Sequence, residues 1–383
     1  NFHALLAFRD EAELEKVKGA VHRLVHRAIA LDGTCTGEHG VGIGKKEYLV
    51  EELGEGTVSL MRAVKRAIDP MDLLNPGKVI EARALRFLAK VDFPPDICVP
   101  RPIFHDETNY VLIMEDLGDL PSLNTVILQN QLQANSTFGP REVATALGTG
   151  LGVLHSIQVD KLMRDGFKNP TSHDVIYEHA VKVIGPRISS QGISDAEMLA
   201  SRVYQSFEDT TRLVNGQEGD EPANVQPVFS MGDLWPASVL VDRENLRLGL
   251  IDWEFAHLDL PLSDIAQLLS YLNLYTLAYS SIGWLPEFLH VFITSYISHS
   301  QKLKVAWLSP TLSLFMLRHA VILHGREMIN VATEKDWGPE GPSRAELVNA
   351  GCRYLRLAGN DTDELMIDEL SKDTIFGPFC LCL

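Results

Sequence analysis

The sequence predicts two dissimilar parts that meet near residue 80: a short α/β region in front and a longer, mainly α region behind. Three observations predict this. A chain of 383 residues is long for one average domain, and its 45% apolar residues supply material for more than one core. The charge balance changes at the same place. Residues 1–80 hold 11 Lys/Arg against 12 Asp/Glu, whereas residues 81–383 hold 23 against 39 and carry −16 of the net −17. The pattern changes as well, from helices around a glycine-rich stretch to short apolar runs followed by a long helical segment.

In the front part, Leu14, Val17, Val21, Leu24, Val25 and Ile29 recur at intervals of three and four and predict a helix over 10–30. Gly33-Thr-Cys-Thr-Gly-Glu-His-Gly-Val-Gly-Ile-Gly44 holds too many glycines for a helix interior. A second helix fits 46–68, with Gly54 and Gly56 placed to break it. Pro70 and Asn75-Pro76-Gly77 then punctuate the chain.

From Glu81 a helix is predicted over 81–90, followed by a loop marked by Pro94, Pro95, Pro100 and Pro102. Val111–Met114 reads as a short buried strand that runs into Glu115-Asp116-Leu117-Gly118. A helix fits Pro140–Ser156, and a polar loop covers 216–224. The apolar runs Ser238–Val241 and Leu248–Ile251, split by a turn at Asp242–Asn245, predict a hairpin. Residues 262–357 are mostly helical, with Ile265–Leu277 expected in the core. There is no internal repeat.

An acidic surface without a basic run repels a nucleic-acid backbone, so nucleic acid is not an expected partner. No apolar run reaches the ~18 residues of a membrane span. Cys35, Cys98, Cys352, Cys380 and Cys382 are scattered and odd in number, which suits reduced thiols inside a cell. The Cys380-Leu-Cys382 pair is expected to be incidental rather than a metal site. The chain starts at Asn1 without methionine, so targeting signals are left open. The expected location is cytoplasmic, or mitochondrial if the front part reflects the true N-terminal context. His155, His319 and His324 are expected to be packed or capping residues, and Trp235 and Trp253 to lie in the core.

Phosphoryl transfer needs a group that orients the attacking hydroxyl and accepts its proton, and oxygen ligands for magnesium on the nucleotide phosphates. Met231-Gly-Asp233-Leu-Trp-Pro-Ala-Ser238 offers a carboxylate and, five residues later, a hydroxyl. The hairpin returns a second carboxylate, in Ile251-Asp252-Trp253-Glu254, beside that loop. A lone Gly-Asp turn is usually only a turn. Here it belongs to an ordered set with the helix from Glu81, Val111–Gly118, Leu151–His155 and Asp264.

This set, over residues 81–383, resembles the aminoglycoside phosphotransferase family within the wider protein-kinase-like fold. That family's usual strings are His-Gly-Asp, four variable residues, Asn, and then Ile-Asp-Trp-Glu. The resemblance implies an ATP-dependent phosphotransferase that uses Mg-ATP and a small-molecule hydroxyl acceptor. It implies that Asp233 is the catalytic base and Asp252 the main magnesium ligand, assisted by Ser238. Glu81 would pair with a strand lysine, the backbone at Glu115 and Leu117 would hold adenine, and Asp264 would steady the loop. The implied layout is a domain over 80–383, with a hinge at 111–118, catalytic loop and hairpin at 229–254, and a helical acceptor lobe at 262–357.

Three features depart from the family pattern. Met231 replaces the histidine and removes a loop-bracing hydrogen bond. Ser238 replaces the asparagine with a shorter side chain. No glycine-rich phosphate loop with a following strand lysine precedes Glu81, and Lys78, three residues before it, is too close to be that lysine. The expected fold is therefore a truncated protein-kinase-like domain, and a non-catalytic pseudokinase binding module stands beside the enzyme as an alternative.

In front, Asn1-Phe-His3, the glycine-rich segment around Glu38-His39 and Leu74-Asn75-Pro76-Gly77-Lys78 form a second ordered set. Over residues 1–79 they resemble the C-terminal end of FAD-linked 2-hydroxyacid oxidoreductases of the D-lactate dehydrogenase (cytochrome) group. Oxidising a 2-hydroxy acid requires a base for the hydroxyl proton and a positive centre for the carboxylate. The resemblance implies His39 as that base beside the flavin, His3 and Glu38 as ligands of a divalent metal, and Asn75 and Lys78 near the flavin. In that family the FAD-binding domain lies upstream, so FAD and the metal are expected only in a longer chain. The third expectation is thus a dehydrogenase fragment, with the join near 80 a true fusion, a splice variant or a chimeric gene model.

Overall fold

The computed structural model describes residues 11–31, 33–35, 48–68, 77–106, 111–132, 136–216, 225–308, 311–338, 341–360 and 362–383. The chain divides into two compact units, one of residues 1–78 with 104–112 and one of 79–103 with 113–383.

In the first unit, helices α1 (Glu11–Ile29) and α2 (Leu49–Ile68) fall where the periodicity places them. Val21, Val25 and Ile29, one stripe of α1, gather with Cys35, Tyr48 and Leu49 into a small core. Gly54 breaks the regular path of α2 with φ 77°, as expected of one of the two glycines there. The rest of the glycine-rich stretch, residues 36–47, lies outside the described residues.

Helix α3 spans Gly77–Leu88, beginning earlier than the expected 81. Ile80, Ala82, Ala84, Leu85 and Leu88 are buried along it. Strands β1 (Ile97–Cys98), β2 (Pro102–Asp106) and β3 (Val111–Met114) follow, and β2 pairs with β3. β3 is less buried than its sequence suggests: Ile113 is 49% exposed, because a two-stranded ladder leaves one face to solvent.

In the second unit come α4 (Leu123–Leu128), α5 (Pro140–Leu154), α6 (Lys161–Gly166), α7 (Pro170–Ile176), α8 (Ile184–Ser189) and α9 (Ala196–Val214). Proline at the start of α5 and the Glu142 side chain, which accepts from the Gly139 N–H (3.1 Å), fix where that helix begins. Four short strands position the candidate site: β4 (Val228–Ser230), β5 (Val239–Asp242), β6 (Arg247–Leu250) and β7 (His257–Asp259). β5 and β6 form the predicted antiparallel hairpin, with Val239 opposite Leu250 and Asp242 opposite Arg247. Burial opposes the charge of Asp242, but hydrogen bonds from Asn245 and Arg247 outweigh it and lower its pKa to about 2. β1 joins β6 in parallel, and β4 pairs antiparallel with β7.

The helices α10 (Ser263–Ala278), α11 (Leu285–Lys302), α12 (Leu314–Glu334), α13 (Arg344–Leu357), α14 (Asp363–Ser371) and α15 (Gly377–Cys380) complete the unit. Gly148 lets α5 lie close against α11, since a Cβ there would stand 2.6 Å from the Phe292 carbonyl oxygen. α12 packs on α8, α9, α10 and α13. The run from Ile265 is core as expected, except that Leu277 at its end is 47% exposed. Trp253 is wholly buried and donates to the Leu250 carbonyl (3.0 Å). Trp235 is only half-buried, its ring 5.8 Å from that of Tyr271, so the expectation of a core residue fails for it. Among the described residues no helix is long and apolar enough to cross a membrane.

Candidate active site

β4 delivers the chain into the loop at 231–238, and one side chain fixes that loop from outside. Asp264, buried in the first turn of α10, accepts from the Met231 N–H (2.8 Å) with Oδ2 and from the Gly232 N–H (3.0 Å) with Oδ1. A carboxylate suits that place, because the start of a helix carries partial positive charge. His155, also buried, stands 3.3 Å from Oδ2 of Asp264 through Nε2 and 2.8 Å from the Tyr296 hydroxyl through Nδ1. His155 is thus a packed residue at the end of α5, as expected, and it reaches Asp264. Gly232 has φ 81°, and a Cβ there would collide with the Phe255 carbonyl oxygen and stand 2.7 Å from Nδ1 of His257. Only glycine fits.

Asp233 follows at once, half-buried, and its Oδ1 accepts from Nε2 of Gln267 (2.7 Å). Burial raises its pKa to about 6. The Gln267 hydrogen bond pulls the other way, and the charges of Glu327, Asp252 and Asp264 add to the rise. Burial, with Glu327 and Asp233 close by, also pushes the Tyr271 hydroxyl well up. Gln267 thus holds Asp233, and the Tyr271 and Trp235 rings stand together close by, while Glu327 is paired with Arg326 (2.6 Å).

Asp252 lies just beyond β6 and is exposed. Its φ of 73° is left-handed, a conformation that costs an L-residue roughly 1–2 kcal/mol and is tolerated best by Asn and Asp. Partial loss of solvent raises its pKa. An exposed carboxylate near other acids fits a divalent cation. Ser238 does not fit the ligand role the sequence suggested. Its side chain is buried, its hydroxyl donates to the Trp235 carbonyl (2.8 Å) and its oxygen accepts from the Trp235 N–H (3.1 Å). The hydroxyl braces the loop from inside.

The segment expected to hold a nucleotide is differently made. The Glu115 N–H donates to the Arg101 carbonyl (2.8 Å), and the Glu115 carboxylate accepts from Nε and Nη2 of Arg101 (3.0 Å each). The Arg101 hydrogen bonds hold the Glu115 carboxyl below its ordinary range. The Leu117 side chain lies against Gly249 of β6, 2.8 Å from where a Cβ would stand. Glu81 sits half-buried on α3. Lys78 belongs to α3 by its backbone, but its side chain lies outside the described residues, as do His3, Glu38, His39 and Asn75 altogether. Among the described residues no three His, Cys, Asp or Glu side chains converge as a metal group.

Sequence reasoning missed Gln267, Tyr271 and Glu327. Gln267 and Tyr271 follow Asp264 at helical spacing and share its face, a signal that was present. Glu327 comes from α12 and carries no local signal. The unit also holds a cavity of about 710 Å³ lined by α6, α7, α9, β7 and α12, which His257 and Arg326 border.

Comparisons with known proteins match two families, which overlap over residues 42–79. Residues 42–304 match the phosphotransferase enzyme family, and residues 1–79 match the C-terminal domain of FAD linked oxidases. The front segment is 56% identical over 81 residues to D-lactate dehydrogenase [cytochrome] 1, mitochondrial, of Saccharomyces cerevisiae, covering 21% of this chain and 14% of that protein. It is 47% identical over 83 residues to the probable D-lactate dehydrogenase, mitochondrial, of Danio rerio, covering 21% and 17%. This chain therefore spans well under a fifth of those relatives. Among solved structures, an aminoglycoside-3'-phosphotransferase of type VIII aligns with TM-score 0.39 and 21% identity over 64% of this chain and 79% of that one. Choline kinase from Cryptosporidium parvum Iowa II aligns with TM-score 0.41 and 17% identity over 81% and 83%. Since the family match runs through more than half of the sequence and includes the loop that Asp264 holds, the chain belongs to the phosphotransferase enzyme family.

Proposed function

We propose that the chain carries an ATP-dependent phosphotransferase site that acts on a hydroxyl of a small molecule. The observation that carries this reading is Asp233, half-buried on a pinned loop, with one oxygen held by Gln267 and a pKa raised to about 6. At neutral pH such a carboxylate is mostly ionised. It accepts the acceptor's hydroxyl proton and turns that oxygen toward the terminal phosphorus. The new P–O bond forms as the bond to the departing nucleoside diphosphate breaks. Magnesium, when bound, neutralises phosphate charge, and Asp252 is the residue that would hold it. The test is Asp233→Asn: transfer should be abolished while nucleotide binding persists, and equal turnover in the variant removes the proposal.

The inward Ser238 hydroxyl, which is not turned toward a magnesium ion, favours a second reading, a nucleotide-binding module without turnover. A ligand that binds only the folded state raises its stability with ln(1 + [L]/Kd). A thermal shift with Mg-ATP but no transfer to any hydroxyl acceptor supports this module. No shift at millimolar nucleotide excludes both readings.

The 56% identity at the front supports a third. Residues 1–79 would be the end of a FAD-dependent D-lactate dehydrogenase, with His39 as base, His3 and Glu38 as metal ligands, and Asn75 and Lys78 near the flavin. The domain boundary then falls near 80. A longer natural product should be yellow and reduce a dye with D-lactate; a colourless, inert product counts against it.

A further inference from the structure

The first unit contains a side-chain chain that none of these readings uses. His22 and His26 stand four residues apart on α1, a spacing that puts both on one helix face and that metal-binding helices use. Their Nε2 atoms are 2.9 Å apart. Each ring is oriented from its far side: Nδ1 of His26 meets Oε1 of Glu51 (2.8 Å), and Nδ1 of His22 meets the Tyr48 hydroxyl (3.0 Å). Tyr48 is buried in the core shared by α1 and α2, so the anchor of His22 is fixed rather than a surface accident.

The hydrogen-bond order follows from the acids and bases present. A carboxylate only accepts, so His26 donates from Nδ1 and, when neutral, presents a bare Nε2. His22 then donates from Nε2, and its Nδ1 accepts from the Tyr48 hydroxyl. One proton lies between the two Nε2 atoms. Two imidazole nitrogens bound to one zinc at about 2.0–2.1 Å stand roughly 2.9–3.4 Å apart, from right-angled to tetrahedral geometry. The pair already has that separation, and its partners are of the carboxylate and hydroxyl kind that orient metal-binding histidines.

We propose that Nε2 of His22 and Nε2 of His26 form a two-histidine site for a divalent transition metal such as zinc, with water completing the coordination and Glu51 and Tyr48 orienting the rings. It uses neither His3 nor Glu38. Metal binding at both Nε2 atoms moves the His22 proton from Nε2 to Nδ1, which then donates to the Tyr48 oxygen; both rings stay neutral and no redox step is involved.

The test is calorimetric titration of the full chain with Zn²⁺, compared with His22→Ala/His26→Ala and with Glu51→Gln. Wild type should bind one zinc more than the double variant, at equal far-UV helicity. Glu51→Gln should weaken that site by about 10- to 100-fold. Equal stoichiometry and affinity in wild type and the double variant overturn the site. Wild-type affinity in Glu51→Gln overturns it too, because the rings would then bind zinc in no fixed arrangement. If the alanines unfold α1, Glu51→Gln alone decides.

Discussion

The loop at 231–238 and the segment at 115–118 belong to the same unit, yet their supports differ in kind. The loop is fixed by Asp264, a buried carboxylate from a helix start more than thirty residues downstream, which takes two backbone N–H groups. The segment is held by an ion pair at the surface, Arg101 with Glu115, and by an Asp116 side chain that accepts from the Gly118 N–H (2.9 Å). A buried acceptor of this kind cannot be replaced by water, whereas an exposed pair exchanges freely with it. The contrast teaches that this unit builds rigidity into the loop that carries Asp233 and leaves the segment at 115–118 on weak supports.

The sharpest way to break that contrast is Asp264→Ala. It strands two N–H groups and removes the partner of His155, so urea unfolding should show a loss of about 3 kcal/mol or more. A loss under about 1 kcal/mol would mean that the loop is held by something else. Gly232→Ala comes next, at about 2–3 kcal/mol, from a left-handed φ and the collision with the Phe255 carbonyl. An unchanged urea midpoint would show that β7 gives way easily.

Asp233→Asn should act in the opposite direction and with pH. The folded pKa is raised to about 6, so the folded chain holds the proton more tightly than the unfolded one. Wild-type stability therefore falls as pH rises from near 4 through 6, and the variant escapes that fall. Above pH 7 the variant should be more stable by roughly 1–2 kcal/mol after allowance for screening, with the charge-related gain gone below about pH 4. A difference that does not change with pH would assign the rise to some other group. The smallest effect is expected of Arg101→Ala: the Glu115 carboxyl should titrate higher, while the melting temperature stays within replicate scatter at moderate and high salt. A clear drop in melting temperature would make the two supports alike.

Much of this site was legible from sequence because its parts lie in local strings. Asp233, Asp252 and the hairpin between them need only a turn at Asp242–Asn245 to come near each other, and Asp264 sits at the first turn of the next long helix. Helix α1 was legible for the same reason, its stripe being continuous from Val21 to Ile29. Three things were not legible. The direction of the Ser238 hydroxyl depends on a single turn of chain around Trp235, and outward and inward rotamers share one sequence. The Glu327 charge near Asp233 is set by how α12 packs on α10, a contact between distant segments. The exposure of Ile113 follows from how many strands pair beside it, which alternation within four residues cannot reveal.

The two N–H groups that Asp264 takes have a consequence for how the loop can be watched. Amide protons held inside by a buried carboxylate exchange with deuterium only when the structure around them opens. Those of Met231 and Gly232 should therefore be among the slow protons of this unit, while those of 115–118, bonded nearer the surface, exchange earlier. Their decay rates report whether the loop is closed in a given variant, with no substrate, nucleotide or turnover required.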